Sequence, residues 1–193
     1  MRSLYINPLL SNITLSILEN GEKISEKILP RWDDFADFPD TVIEIINTET
    51  IDEIWCLVWP GAFTRMRIVT LTLSTLVMSR GVVVKWCHFF DIIDRENPII
   101  LANNSEYIIR NSDGSTSLID KSTLPDCIYT GYGVQNDFTE GKILIEYSED
   151  WWAISDHFEK LTPEKTLTPI YLKEPHITWS TKNTSPSSAK TNI

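Results

Sequence analysis

At 193 residues the chain can bury a real core, as one domain or as two small ones. Its 42% hydrophobic and 23% charged residues are those of a globular protein, and no apolar run reaches the roughly 18 residues of a membrane-spanning helix. Lys plus Arg total 17 against 27 Asp plus Glu, a formal net charge of −10; such a surface repels phosphate backbones, so protein partners are expected and direct nucleic-acid contact is not.

The opening Met1-Arg2-Ser3-Leu4-Tyr5-Ile6 enters a strand without the apolar segment of a signal peptide. Cys56, Cys87 and Cys127 are odd in number and widely spaced, as expected of reduced thiols in a cytoplasmic protein. Residues 2–7, 13–19 and 23–29 read as three strands, with Asn20-Gly21 a strong hairpin signal between the second and third. Asp33 to Asn47 reads as an acidic helix whose regular part begins near Pro39, with Phe35, Phe38, Val42, Ile45 and Ile46 as its apolar stripe. Asp33, Asp34, Asp37 and Asp40 read as a solvated helix start, favourable to the dipole, rather than as a cation site.

Ile51 to Val58 is an apolar, β-branched run, hence a buried strand, and Pro60-Gly61 ends it. Thr64 stands as the expected N-cap of a helix over 64–80, in which Met66, Val69, Leu73, Leu76 and Val77 recur at helical spacing. Gly81 sits where a left-handed C-cap belongs. The many β-branched residues of this helix need packing to hold them, and Thr72, Thr75 and Ser79 make a second face of small residues. A helix with two faces to bury implies a partner.

Pro60-Gly61-Ala62-Phe63-Thr64-x-x-Arg67-Ile68 resembles the P-G-S-F-T-G-x-R-I signature of the TsaB (YeaZ) family. Trp59, Arg65 and Val69 stand where the family has glycine, and Ala62 where it has serine, which leaves open what Arg65 and Val69 do there. The resemblance implies an α/β, two-lobed actin/Hsp70-like (RNase H-like) fold with mixed sheets flanked by helices. It also implies a non-catalytic subunit of bacterial threonylcarbamoyladenosine synthesis on tRNA. In that role the helices at 39–47 and 64–80 pack against the equivalent pair of a TsaD-like protein, with a TsaE-like ATPase joining. The implied contacts are Phe35, Phe38, Val42, Ile45, Phe63, Thr64, Arg67, Thr72, Thr75 and Ser79, with Pro60 and Gly61 positioning the second helix.

Further along, Val82 to Cys87 is another buried strand, followed by a short segment His88–Asp94 that closes a first lobe over residues 1–95. Ile99–Ala102, Glu106–Arg110 and Ser117–Asp120 repeat the three-strand opening, with Asp113-Gly114 as a hairpin turn. Of the family's D-A-R-x-x-E-V-Y element only Ala102 and Glu106 survive. Pro125 to Gly133 reads as a strand ending in a glycine turn, Ser148–Leu161 as a helix, and Pro169-Ile170-Tyr171-Leu172-Lys173 is similar to the family's closing P-x-Y-L-R. Residues 96–179 are thus a reduced second lobe, and 180–193, rich in Ser, Thr, Asn and Lys, an expected disordered tail.

Nucleotide-hydrolysing relatives of the superfamily carry an acidic residue at the end of the first strand. Here Asn7 lacks the charge that holds Mg²⁺, and Pro8 removes an amide a phosphate would use. The seven glycines are scattered over separate turns and form no phosphate loop. His88, His157 and His176 lack metal-ligand spacing, Cys87 and His88 point to opposite faces of a strand, and Asp91 with Asp94 has no demonstrable pocket. No catalytic residue, cofactor or metal is expected. Two other readings stay open: a small kinase or hydrolase of the same superfamily, which requires Mg-ATP between the lobes, and a homodimer without a TsaD role.

Overall fold

The computed structural model describes residues 1–9, 12–29, 37–59, 63–93, 95–102, 105–132 and 142–164. Asp33, Asp34, Phe35, Pro60, Gly61, Ala62, Asp94, Gly133, Pro169–Lys173 and the tail lie outside them, as does the side chain of Phe63.

The first sheet is built from β1 (Arg2–Asn7), β2 (Ile13–Glu19), β3 (Glu22–Leu29), β4 (Glu53–Trp59) and β5 (Val84–His88), in the order β3-β2-β1-β4-β5. β2 runs antiparallel to both β1 and β3, β4 pairs parallel with β1, and β5 pairs parallel with β4. The β2–β3 turn holds Asn20 at φ 51° and Gly21 at φ 85°, the paired left-handed residues that match the twist of a tight hairpin. Helices α1 (Asp37–Thr48) and α2 (Phe63–Arg80) make the crossovers into β4 and β5.

Alternation along the strands assigns the two faces. Leu4 and Ile6 share a face with Leu15, Ile17, Ile54 and Cys56 by register. Ile45 and Thr48 of α1 lie over Leu15 and Ile17 on that face. α2 lies beside α1, tied by Arg80 Nη1 donating to Asn47 Oδ1 at 2.8 Å. Tyr5, Trp55 and Lys85 stand on the opposite face. There the chain returns as α4 (Trp151–Glu159), where Phe158 stacks on Trp55 (centroids 5.3 Å, interplanar 5°) and meets Tyr5 edge-on at 6.1 Å. Asp150 caps α4, its Oδ1 accepting from the amides of Trp152 and Ala153 at 3.1 Å. With helices on both faces, β1 is buried from Ser3 to Asn7 and β4 from Glu53 to Val58, as a sheet with parallel crossovers requires.

The short α3 (Phe89–Ile92) leads to the second sheet: β6 (Pro98–Leu101), β7 (Glu106–Arg110), β8 (Thr116–Asp120), β9 (Ile128–Tyr132) and β10 (Ile143–Glu146). Its order, β10-β9-β6-β7-β8, repeats the first: an antiparallel three-strand opening, then two strands added parallel to the first of them. Ile100 and Ile108 join the large core of the first sheet, while Ile99, Tyr107, Leu124 and Tyr129 form a small core on the other side.

Gly131 lies within β9. A Cβ there would stand 2.7 Å from Ile99 Cγ2, 2.9 Å from Leu144 Cδ1 and 3.0 Å from the Ile99 carbonyl oxygen. Because the carbonyl cannot swing away, Gly131→Ala is expected to cost about 1–3 kcal/mol by overpacking, read as a lower urea midpoint.

Candidate partner-binding face

Thr64 lies in the first turn of α2 and is exposed there. At the other end Gly81 takes φ 65° and its amide donates to the Val77 carbonyl at 3.0 Å, the expected left-handed C-cap. Met66, Val69, Leu73 and Leu76 are buried and fix which side of α2 faces the sheet.

Arg65 and Val69, two of the three residues that stand where the resembled signature has glycine, are both absorbed into the chain itself. Val69 is fully buried in the core. Arg65 is buried and reaches across to β1, where its Nη1 donates to the Pro8 carbonyl at 3.0 Å. Burial lowers its pKa from the usual arginine value.

The expected contact residues separate into two groups. Phe38 and Val42 are fully buried in the chain's own core, so neither presents a surface to a partner. This corrects their expected role: the apolar stripe of α1 is consumed by the sheet it covers. Ile45 is half-buried and packs on the same core. Thr64, Arg67, Thr75 and Ser79 are exposed on α2, and Thr72 is half-buried. Thr75 and Ser79 each donate their hydroxyl to a carbonyl four residues back, at 2.8 and 2.7 Å, so their methyl and methylene faces stay outward.

Two residues of this face escaped the sequence reading. Leu71 is 61% exposed and Met78 is 84% exposed, and with Arg67, Ser74 and Thr75 they recur at i, i+4, i+7, i+8 and i+11 along one side of α2. An apolar residue at each end with small hydroxyls between is a surface onto which another helix can pack closely.

On the sheet's other side a cleft of 550 Å³ opens between the second sheet and α4, lined among others by Arg95, Thr130, Glu146, Tyr147 and Asp150. Asp150 caps α4, and burial together with Glu149 pushes the Tyr147 phenol up to about 12. Asn7, at the end of β1, donates its amide to Glu149 Oε1 at 2.9 Å and accepts from the Leu9 amide at 3.2 Å. The side chain at the end of β1 is thus held by the segment leading into α4. Burial raises the Cys56 and Cys87 thiols well above their usual value, and lowers His88. Asp91 pairs with Arg110 at 3.3 Å. Among the described residues no group of three or more His, Cys, Asp or Glu is placed to hold a metal ion, and no helix is long and apolar enough to cross a membrane.

Comparison with solved structures places this arrangement. YeaZ from Pseudomonas aeruginosa superposes with a TM-score of 0.61 at 14% identity, over 89% of this chain and 99% of that one. The fold is that of YeaZ. A second P. aeruginosa structure, described as similar to the peptidase YeaZ, gives a TM-score of 0.60 at 14% identity over the same shares of the two chains. The resemblance carried by the Pro60–Ile68 stretch therefore holds for the fold of nearly the whole chain, including both five-stranded sheets. No family model and no curated protein matches in sequence.

Proposed function

We propose that the chain is a non-catalytic, TsaB-type subunit that docks a TsaD-like protein through the outward side of α2, in threonylcarbamoyladenosine modification of tRNA. The observation that carries this reading is the Leu71–Thr75–Met78 stripe, exposed on a helix whose opposite side is already committed to the core of a YeaZ fold. The start of α2 supports the same reading: Arg67 at the head of the stripe and Thr64 before it are both exposed. The net charge of −10 assigns tRNA contact to the partner, which supplies the positive surface. In this arrangement the chain contributes shape rather than chemistry, and the transfer reaction and its metal belong to the partner. A TsaE-like ATPase and a cytoplasmic setting follow from the same assignment.

The test is co-purification with a TsaD-like protein, followed by binding measured with single variants of α2. Thr75→Arg and Met78→Arg each place a long cation in the centre or at the end of the stripe. Each is expected to weaken association by about tenfold or more, since truncating or blocking a central contact typically removes more than 1 kcal/mol. Both side chains point to solvent, so the melting temperature stays within a degree or two of the parent. Association that is unchanged in both variants would rule out this side of α2 as the docking face.

A further inference from the structure

The 550 Å³ cleft between the second sheet and α4 falls within the size range of small-molecule sites, about 300–1,000 Å³. Thr130 of β9 and Ile145 of β10 are register partners, so their side chains share one face of the second sheet, and both line the cleft. Ile92 of α3 and Ala153 of α4 complete its aliphatic surface. Thr130 is only 6% exposed, and its hydroxyl makes no hydrogen bond among the described residues. A hydroxyl so buried on a cleft wall needs its partner from whatever fills the cleft. Arg95, exposed in the link between α3 and β6, forms no ion pair or hydrogen bond among the described residues. Asp150 commits Oδ1 to the cap of α4, while its Oδ2 makes no hydrogen bond among the described residues. The wall that carries Asp150 is held in place without a ligand. The Tyr147 amide donates to the Gly131 carbonyl at 2.7 Å, and Asn7 ties Glu149 at 2.9 Å.

We infer that this cleft binds an α-amino acid with an aliphatic side chain. Its lining offers both signs of charge beside apolar surface. A lone anion drawn to Arg95 meets the carboxylates of Glu146 and Asp150, and a lone cation drawn to those meets the guanidinium. A molecule that carries an ammonium and a carboxylate side by side satisfies both. The planar guanidinium of Arg95 takes the carboxylate, a pairing in which two parallel hydrogen bonds form. Asp150 Oδ2 takes the ammonium. The side chain lies against Ile92, Ile145 and Ala153, where it leaves water. The Thr130 hydroxyl gains the partner it lacks in the free chain. The site is separate from the outer stripe of α2, so it stands or falls independently of docking there.

Ligand-observed NMR on the full chain, with L-leucine from about 0.1 to 10 mM, tests this. Leucine is expected to bind with a dissociation constant of about 1 mM or tighter. Leucinamide, which lacks the carboxylate charge, and isocaproate, which lacks the ammonium, are each expected to bind about tenfold more weakly. Arg95→Ala is expected to weaken leucine by about tenfold and to leave leucinamide unchanged, because the contact it removes is the one to the carboxylate. Thr130→Val keeps the shape of the wall and is expected to weaken leucine about threefold. Arg95 is exposed, so an unchanged melting temperature in Arg95→Ala separates lost binding from lost fold. No binding of leucine at the highest concentration overturns the inference. So does leucine binding that isocaproate matches, or that Arg95→Ala leaves unchanged.

Discussion

Replacing Phe158 with alanine is expected to cost about 3–5 kcal/mol, the usual range for emptying a fully buried aromatic site. Phe158 has no exposed surface and lies between two other rings, parallel to Trp55 and perpendicular to Tyr5. Its loss leaves a hole bounded by two rigid aromatic side chains on a sheet, which have little freedom to collapse into it. It also loosens the element that returns the chain from the second sheet to the first. Trp151 of the same helix meets Tyr5 edge-on at 5.6 Å, and Trp152 covers Gly21 in the β2–β3 turn. The expected reading is a fall in the urea midpoint, with the first sheet reporting through Trp55 fluorescence. Because α4 and α1 lie on opposite faces, binding through the outer stripe of α2 is expected to survive in conditions where the variant is still folded. A loss below about 1 kcal/mol would mean that the site closes by moving α4.

The features of this fold that were legible in the sequence are those set by neighbouring residues. Asn20-Gly21 specifies a tight hairpin because both residues accept positive φ, and the turn forms there with both in that region. Gly81 likewise marks the end of α2. β1 and β2 carry enough alternating apolar residues to be bounded to the residue, and the repeat of that opening at β6 to β8 was readable for the same reason. β10 was not. Three apolar residues, Ile143 to Ile145, are too few to set a period, and the strand exists because β9 lies parallel to it. Gly131 was read as part of a turn, whereas its lack of a side chain serves the close approach of Ile99.

Which surface faces a partner was less legible still. Helical spacing gives the apolar side of α1 but not what covers it, so Phe38 and Val42 pointed equally to the core and to another protein. Leu71 and Met78 passed unnoticed because the stripe of small residues between them drew the second face of α2 instead. Arg65 has no local signature at all. Arginine is ordinarily a surface residue, and only the end of β1 passing beneath α2 supplies the Pro8 carbonyl that its guanidinium reaches. What local sequence can specify is geometry along the chain. What meets a given face depends on residues tens of positions away.

The same dependence sets the largest electrostatic effect expected here. Glu53 and Lys85 lie on the α4 side of the first sheet, on β4 and β5, with side chains 9% and 10% exposed. Their atoms are 3.0 Å apart, and the other carboxylate oxygen of Glu53 accepts from Trp55 Nε1 at 2.7 Å. The segment after α4 closes over this end of the sheet, where the Glu164 amide donates to the Val84 carbonyl at 2.9 Å. Glu53→Gln keeps the shape and the acceptor for Trp55 but leaves the Lys85 ammonium buried without a countercharge. Breaking such a pair from one side typically costs about 3–5 kcal/mol, several times the worth of an exposed pair. Adding Lys85→Met removes the stranded charge and is expected to recover most of that loss, because the neutral amide at position 53 still accepts from Trp55 Nε1 and no buried charge is left without a countercharge. Urea unfolding of the two single variants and the double variant measures the coupling directly. A Glu53→Gln cost under about 1 kcal/mol would show that water reaches Lys85 despite the covering segment, and that the pair behaves as a surface one.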